Sequence, residues 1–359
     1  MSESFEKQTV GIVTLCGRFN YGNRLQAYAV QRSISRLGYA PLTLESVNIK
    51  PERRVKNVVK KLLGRPVRIE ETLSQERRDA FERFETRIST KRFSIRDHTI
   101  GKGFVACISG SDQVWNPRFM SYGHPEMLKF IEPRKRIALS ASIGASKISK
   151  KDIGWFSQDV AEFRHISVRE RVAADIVKEC AGRTAKVLMD PTLSLKADEW
   201  RAISDNRHTP TGDYVLACLF GSSSGDGEIA LAMAAANTSK IIHLTDRERD
   251  GELPAGPAEF ISLIDNARHV VSDSYHASVF AMLMGTPLTI VQRVGSATEC
   301  DMFSRLESLA QMFCLDKNIY GSPSFDIRAL GDYERSYDCL RIERERYEAF
   351  LKEALEDVG

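Results

Sequence analysis

Thr9-Val10-Gly11-Ile12-Val13-Thr14-Leu15, followed by Cys16-Gly17-Arg18-Phe19-Asn20-Tyr21-Gly22-Asn23-Arg24, is the stretch that decides how the chain folds. An apolar run of strand length meets a polar turn. The next residues put Leu25, Ala29, Val30, Ile34 and Leu37 on one side of a helix, which Gly38 stops, and Pro41 to Leu44 reads as the next strand. This is a βαβ opening. Further short apolar runs, Phe104 to Ser109, Arg136 to Ala141, His165 to Val168 and Lys186 to Met189, each lead into a polar or glycine-containing turn. Such runs read as buried parallel strands. Asp190-Pro191 closes this half, and Thr192 to Trp200 reads as irregular linker.

A second α/β half follows, with strands at Tyr214 to Phe220, Lys240 to Leu244, Val270 to Ser272 and Leu288 to Val291. Helices near 228–236, 258–266 and 277–284 alternate with them. The alternation predicts two doubly wound, Rossmann-like α/β domains, 1–193 and 194–331. Residues 332–359 form a charged amphipathic helix, with Tyr333, Tyr337, Leu340, Tyr347, Phe350, Leu351 and Leu355 on its stripe, expected to pack back on the body. Facing domains of this kind turn their strand carboxyl ends towards a shared cleft.

The composition agrees. At roughly 150 residues per domain, 359 residues suggest two domains. With 42% apolar and 28% charged residues the chain reads as soluble and globular, and a net charge of +3 excludes a general nucleic-acid binder. Residues 1–9 lack a basic and then apolar leader, and no run reaches about 18 apolar residues, so a cytosolic protein is expected. Seven scattered cysteines without a CxxC pair predict reduced core residues. Neither HExxH nor a DxD pair occurs, so no metal site and no cofactor are expected.

Four turns follow strands and open towards helices, where free N–H groups and the helix dipole favour an anion. In the first, Gly22 allows close backbone approach while Asn20, Asn23 and Arg24 can donate; it also suits an ordinary capped turn. The second, Gly110-Ser111-Asp112-Gln113-Val114-Trp115-Asn116-Pro117, is either a binding loop or a helix start with Trp115 as a core plug. In the third, Ser167-Val168-Arg169-Glu170, Arg169 can clamp a phosphate or carboxylate, or form a structural ion pair. The fourth, Ser272-Asp273-Ser274-Tyr275-His276, places a proton-exchanging side chain at the cleft mouth, and also fits a hydrogen-bonded structural histidine. A fifth loop, Gly221 to Gly225, reads as a phosphate cradle before the helix near 228–236, without the lysine and spacing of a P-loop. The basic stretch Lys50 to Arg68 carries Val55, Val58, Val59, Leu62 and Leu63 at helical spacing, which suits an anionic membrane surface or a helix packed on the body.

Taken in order, Asn20 to Ala29, the Gly110 to Pro117 loop, Ser167 to Glu170, Asp190-Pro191-Thr192 and Ser272 to His276 resemble the polysaccharide pyruvyl transferase family across nearly the whole chain. The resemblance implies a fold similar to the glycosyltransferase-B architecture. It also implies a reaction in which phosphoenolpyruvate, as donor substrate, gives pyruvate to two hydroxyls of one sugar residue, forming a cyclic ketal and releasing phosphate. Arg169 matches the family's donor-binding arginine and His276 its histidine acting on the donor. Many members read Asp-Arg-x-His where this chain has Ser274, so Arg24 or Arg293 is expected to supply the second cation, with Ser274 and the Asn20, Gly22, Asn23 and Gly221 turns adding neutral donors. His276 would be the acid; Asp112 would take a hydroxyl proton or orient the acceptor, beside Ser111, Gln113, Trp115 and Asn116. The family context suggests a cell-surface polysaccharide precursor as acceptor, lipid-linked or not, with the Lys50 to Arg68 stretch as a peripheral contact at the inner membrane face. A sugar-nucleotide glycosyltransferase of similar fold and a non-catalytic binding descendant are the alternatives.

Overall fold

A computed structural model describes residues 8–15, 17, 19–47, 73–97, 99–121, 123–221, 225–245, 248, 251–293 and 299–358. The basic stretch Lys50 to Arg68 and Ser222 to Ser224 of the fifth loop lie outside the described residues.

Two parallel sheets form. The first contains β1 (Thr9–Val13), β2 (Ala40–Ser46), β3 (Thr90–Phe93), β4 (Ala106–Ser109), β5 (Arg136–Ala141), β6 (His165–Val168) and β7 (Lys186–Val187), in the order β3-β2-β1-β4-β5-β6-β7. The second contains β8 (Val215–Cys218), β9 (Ile241–His243), β10 (His269–Ser272) and β11 (Leu288–Ile290), in the order β11-β10-β8-β9. Every residue of β4, β5 and β10 is buried. β4 is covered on both faces: Ile108 belongs to one core and Cys107 to another.

The helices that position the cleft start and stop where their caps dictate. α1 (Tyr21–Arg36) begins at Asn20, whose side chain accepts from the Asn23 N–H, and gives way at Leu37 to Gly38, with φ at +91°. α2 (Gln75–Glu85) is capped by Ser74. α3 (Arg171–Ala181) follows β6, α4 (Pro257–Asp265) opens on proline, and α5 (Tyr275–Met284) follows β10. α6 (Glu299–Phe313) and α7 (Glu334–Glu356) complete the chain.

One apolar cluster runs through both lobes, from Val10 and Leu25 to Phe260 and Leu288. α2 and α4 meet closely enough that a Cβ on Gly256 would fall 2.7 Å from the Ala80 carbonyl carbon. The buried Arg77 bonds Tyr21 Oη at 2.6 Å and the Thr245 carbonyl, while Tyr21 Oη donates to the Ala255 carbonyl at 2.9 Å. α7 crosses back to the first lobe: Arg344 donates to the carbonyls of Leu193 and Leu195, and Asp357 pairs with Arg164 and His165 on β6. Leu340, Tyr347, Phe350, Leu351 and Leu355 are buried as the stripe requires, but Tyr337 is exposed.

Three expectations are corrected. Residues 192–200 are not linker: a 3₁₀ turn at Pro191–Ser194 leads into a short helix, Ala197–Arg201, because Trp200 fills the shared core, edge-on to Phe280, with Nε1 bonded to the Thr192 carbonyl. β3 and α2, absent from the sequence reading, extend the first lobe. Cys107 and Cys218 are buried, whereas Cys180 and Cys339 are half-buried and Cys314 is exposed. Among the described residues no helix is long and apolar enough to cross a membrane.

His269, on β10, faces Thr289 Oγ1 at 2.8 Å, and burial pushes its imidazole from 6.5 down to about 4. The unfolded chain therefore binds the proton first, and stability should fall as pH drops from 6.5 towards 4, by up to about 3 kcal/mol from this group. Denaturant melts of His269→Gln should show a flatter pH dependence across that window. An unchanged slope would remove His269 as its source.

Candidate active site

Adjacent strands whose connections leave in opposite directions open a crevice at their carboxyl ends. In the first sheet this switch lies between β1 and β4, and in the second between β8 and β10. The two crevices face one another as a single cleft of about 660 Å³ including its mouth. The first lobe contributes Asn20, Tyr21 and Gly22 after β1, with Asp112 and Gln113 after β4; the second contributes Phe220 after β8 and Ser274, Tyr275 and His276 after β10. Phe260 of α4, Arg293 after β11 and Arg305 of α6 close it.

His276 stands in the first turn of α5, pressed against Gly22. A Cβ at Gly22 would lie 2.0 Å from His276 Nδ1, so only glycine lets the two lobes meet here. His276 Nε2 lies 3.7 Å from Asp190 Oδ2 and makes no hydrogen bond among the described residues. Burial lowers the pKa of this imidazole, against the opposing pull of Asp190 and Asp112. Asp190 itself is rigidly held: Oδ1 accepts from the Thr192 N–H (3.0 Å) and Oγ1 (2.7 Å), and Oδ2 from Arg169 Nη1 (2.8 Å). Burial works against its charge, but His276, Arg169 and Thr192 outweigh that and hold its pKa below the ordinary carboxylate value.

Three guanidinium groups lie in and under the cleft. Arg293 pairs with Asp273 at 3.2 Å and sits over the Phe220 ring. Arg305 is buried, and that burial, with the neighbouring charges of Arg169 and Arg293, pushes its pKa down to about 10 despite Asp112 and Glu170. An anion beside Arg305 would offset the cost of burying its charge. Arg169 lies deeper, 2.8 Å from Asp190, 3.4 Å from Asp112 and 3.9 Å from Glu170, with its guanidinium over the Tyr275 ring at 4.3 Å. Burial opposes its charge, but Tyr275 and the three carboxylates raise its pKa overall.

Of the residues singled out from sequence, Asn20, Gly22, Asp112, Gln113, Ser274, His276 and Arg293 line the cleft. The others are corrected in position. Arg24 is buried on the far side of α1, 3.5 Å from Glu85 and 3.7 Å from Glu45, because two residues on from Gly22 is about 200° around a helix. Asn23 donates to Asp112 Oδ2 and so steadies the loop. Ser111 bonds the Ser140 carbonyl, Trp115 is a core plug edge-on to Phe163 and Phe156, and Asn116 bonds Gln113 and caps the Arg118 N–H. None of these three lines the cleft; Arg169 lines a small adjoining cavity with Tyr275 and Arg305, which both border the cleft. The Gly221 and Phe220 N–H groups are taken by Asp273. Sequence reading missed Arg305, which lies on a helix that no strand-and-turn signal announces, and Asp190, whose Asp-Pro-Thr context was noted without a role. It also missed the aromatic walls Tyr21, Phe220, Phe260 and Tyr275.

Several solved structures resemble the chain distantly. Glycosyltransferase VinC in complex with DTDP is 10% identical, with 98% of this chain and 99% of that one covered and a TM-score of 0.38. LpCGTa in complex with UDP is 10% identical over 98% and 99%, with a TM-score of 0.44. The UDP-GlcNAc 2-epimerase of Methanocaldococcus jannaschii, in complex with UDP-GlcNAc and UDP, is 11% identical over 93% and 99%, at 0.40. No curated protein matches the sequence. The family model for polysaccharide pyruvyl transferase matches residues 20–292, from the first wall of the cleft to the residue before Arg293, and the chain belongs to that family.

Proposed function

We propose that the cleft takes phosphoenolpyruvate as donor and that the product is a cyclic ketal bridging two hydroxyls of one sugar residue in a polysaccharide precursor. Family membership supports pyruvyl transfer in polysaccharide formation. The observation that carries the donor assignment is the meeting, in one cleft, of Arg293, Arg305 and the amino-terminal turn of α5 around His276. A donor with a phosphate and a carboxylate needs two anion sites beside one proton donor. Of the two cations expected from sequence, Arg24 or Arg293, Arg293 lines the cleft, and Arg305 stands beside it.

In this reading His276 protonates the methylene carbon of the donor, leaving a cationic centre at C2 that the first sugar hydroxyl attacks. That hydroxyl's proton returns to His276. Departure of phosphate regenerates the cation, the second hydroxyl closes the ring, and its proton leaves with the phosphate. Burial lowers the imidazole's affinity for the proton, and an anionic donor beside it raises that affinity. Asp190 acts as a positioning residue, its charge facing His276 Nε2 at 3.7 Å. Asp112 has its carboxylate engaged by Asn23, the Gln113 N–H and Arg169, so it orients the acceptor side of the cleft. Arg169 acts from beneath, neutralising Asp112 and Asp190.

Two outcomes separate these roles. With phosphoenolpyruvate and saccharide acceptors, His276→Gln should lower kcat by about 10²- to 10⁴-fold while the donor KM changes by less than about threefold; equal turnover would remove His276 from the mechanism. Arg169→Ala leaves three carboxylates buried without their cation and should cost about 3–5 kcal/mol of stability in denaturant melts. A variant as stable as wild type, with only the donor KM raised, would return Arg169 to direct donor contact.

A further inference from the structure

The last turn of α6 ends at Phe313, and Cys314 follows with φ at +55°, turning the chain so that Leu315 N–H reaches the Ala310 carbonyl at 2.9 Å. Leu315 is buried, while Cys314 stays exposed. On the facing helix α7, Ser336 donates to the Phe313 carbonyl at 2.6 Å, fixing the two helices at this point. Cys339 lies three residues on from Ser336, hence on the same face one turn later. Its sulfur comes 4.0 Å from that of Cys314. The other described cysteines stand apart from this pair: Cys107 and Cys218 are buried in strands and Cys180 is at the end of α3.

We propose that Cys314 and Cys339 are a modification site, a dithiol that a small-molecule disulfide oxidises to an intramolecular disulfide joining α6 to α7. Cys314, the exposed thiol, attacks the small disulfide as its thiolate, forming a mixed disulfide and expelling one thiol. Cys339 then loses its proton and attacks the Cys314 sulfur, expelling the second thiol. Two protein thiols are oxidised and one small disulfide is reduced to two thiols. Burial, together with the neighbouring Cys314 sulfur and the charges of Asp338 and Glu343, raises the pKa of Cys339, which leaves the first attack to the exposed Cys314. The sulfurs need to close by about 2 Å, within reach of side-chain rotation. The helix so anchored is the one that brings Arg305 to the cleft, but the proposal does not depend on which donor binds there.

The full chain is treated with oxidised glutathione, denatured, alkylated and digested without reduction. Two of the seven thiols should escape alkylation, no glutathione should remain attached, and the peptides bearing Cys314 and Cys339 should emerge cross-linked. Cys339→Ser should instead retain one glutathione on Cys314. Seven alkylated thiols, glutathione retained on the wild-type protein, or a cross-link joining any other pair would overturn the proposal.

Discussion

The buried charge of Arg169 is the constraint on which the cleft depends. Its guanidinium pairs with Asp112 after β4 and Asp190 after β7, and approaches Glu170 at the start of α3. Glu170 in turn accepts from Ser142 and from the N–H groups of Ile143 and Gly144 after β5. One cation thus ties together the carboxyl ends of β4, β5, β6 and β7. Ions so far from water are costly unless every partner is present, so the four loops are fixed as a set. Asp190, at the centre of that set, is also the carboxylate facing His276 from the other lobe. The imidazole therefore sits on one lobe and the carboxylate that faces it on the other.

That division works because the lobes share a core. Tyr21 stacks on Phe260 with ring centroids 4.8 Å apart, and its hydroxyl links Arg77 of the first lobe to the Ala255 carbonyl of the second. One residue later, Gly22 gives the His276 ring its space. The first turn of α1 thereby sets both the spacing of the lobes and the seat of the imidazole.

Much of this was legible in sequence, and the exceptions have physical causes. β4, β5 and β10 read as strands because sheets covered on both faces need unbroken apolar runs. β3, with Lys91 and Arg92 exposed at the sheet edge, gives no such run. The turns after β1, β4 and β10 were found because strand ends at a switch point must carry the ligand-facing residues. Within them, helical geometry sent Gly22 to the cleft and Arg24 to the back, a distinction that composition does not carry. Trp115 and Asn116 serve the loop's own packing, as a dense turn permits. Arg305 arrives from a helix 29 residues beyond His276, so only the tertiary fold reveals it.

The donor proposed for this cleft is small and bears a phosphate and a carboxylate. The most direct measurement is a thermal-shift titration of the wild type and of Arg305→Ala with phosphoenolpyruvate, beside a panel of nucleoside diphosphates. A ligand that binds only the folded state raises its melting temperature. Stabilisation by phosphoenolpyruvate alone is expected, lost or shifted at least about tenfold in concentration in the variant. Stabilisation by a nucleotide, with none from phosphoenolpyruvate, would contradict it and make the cleft that of a sugar-nucleotide glycosyltransferase.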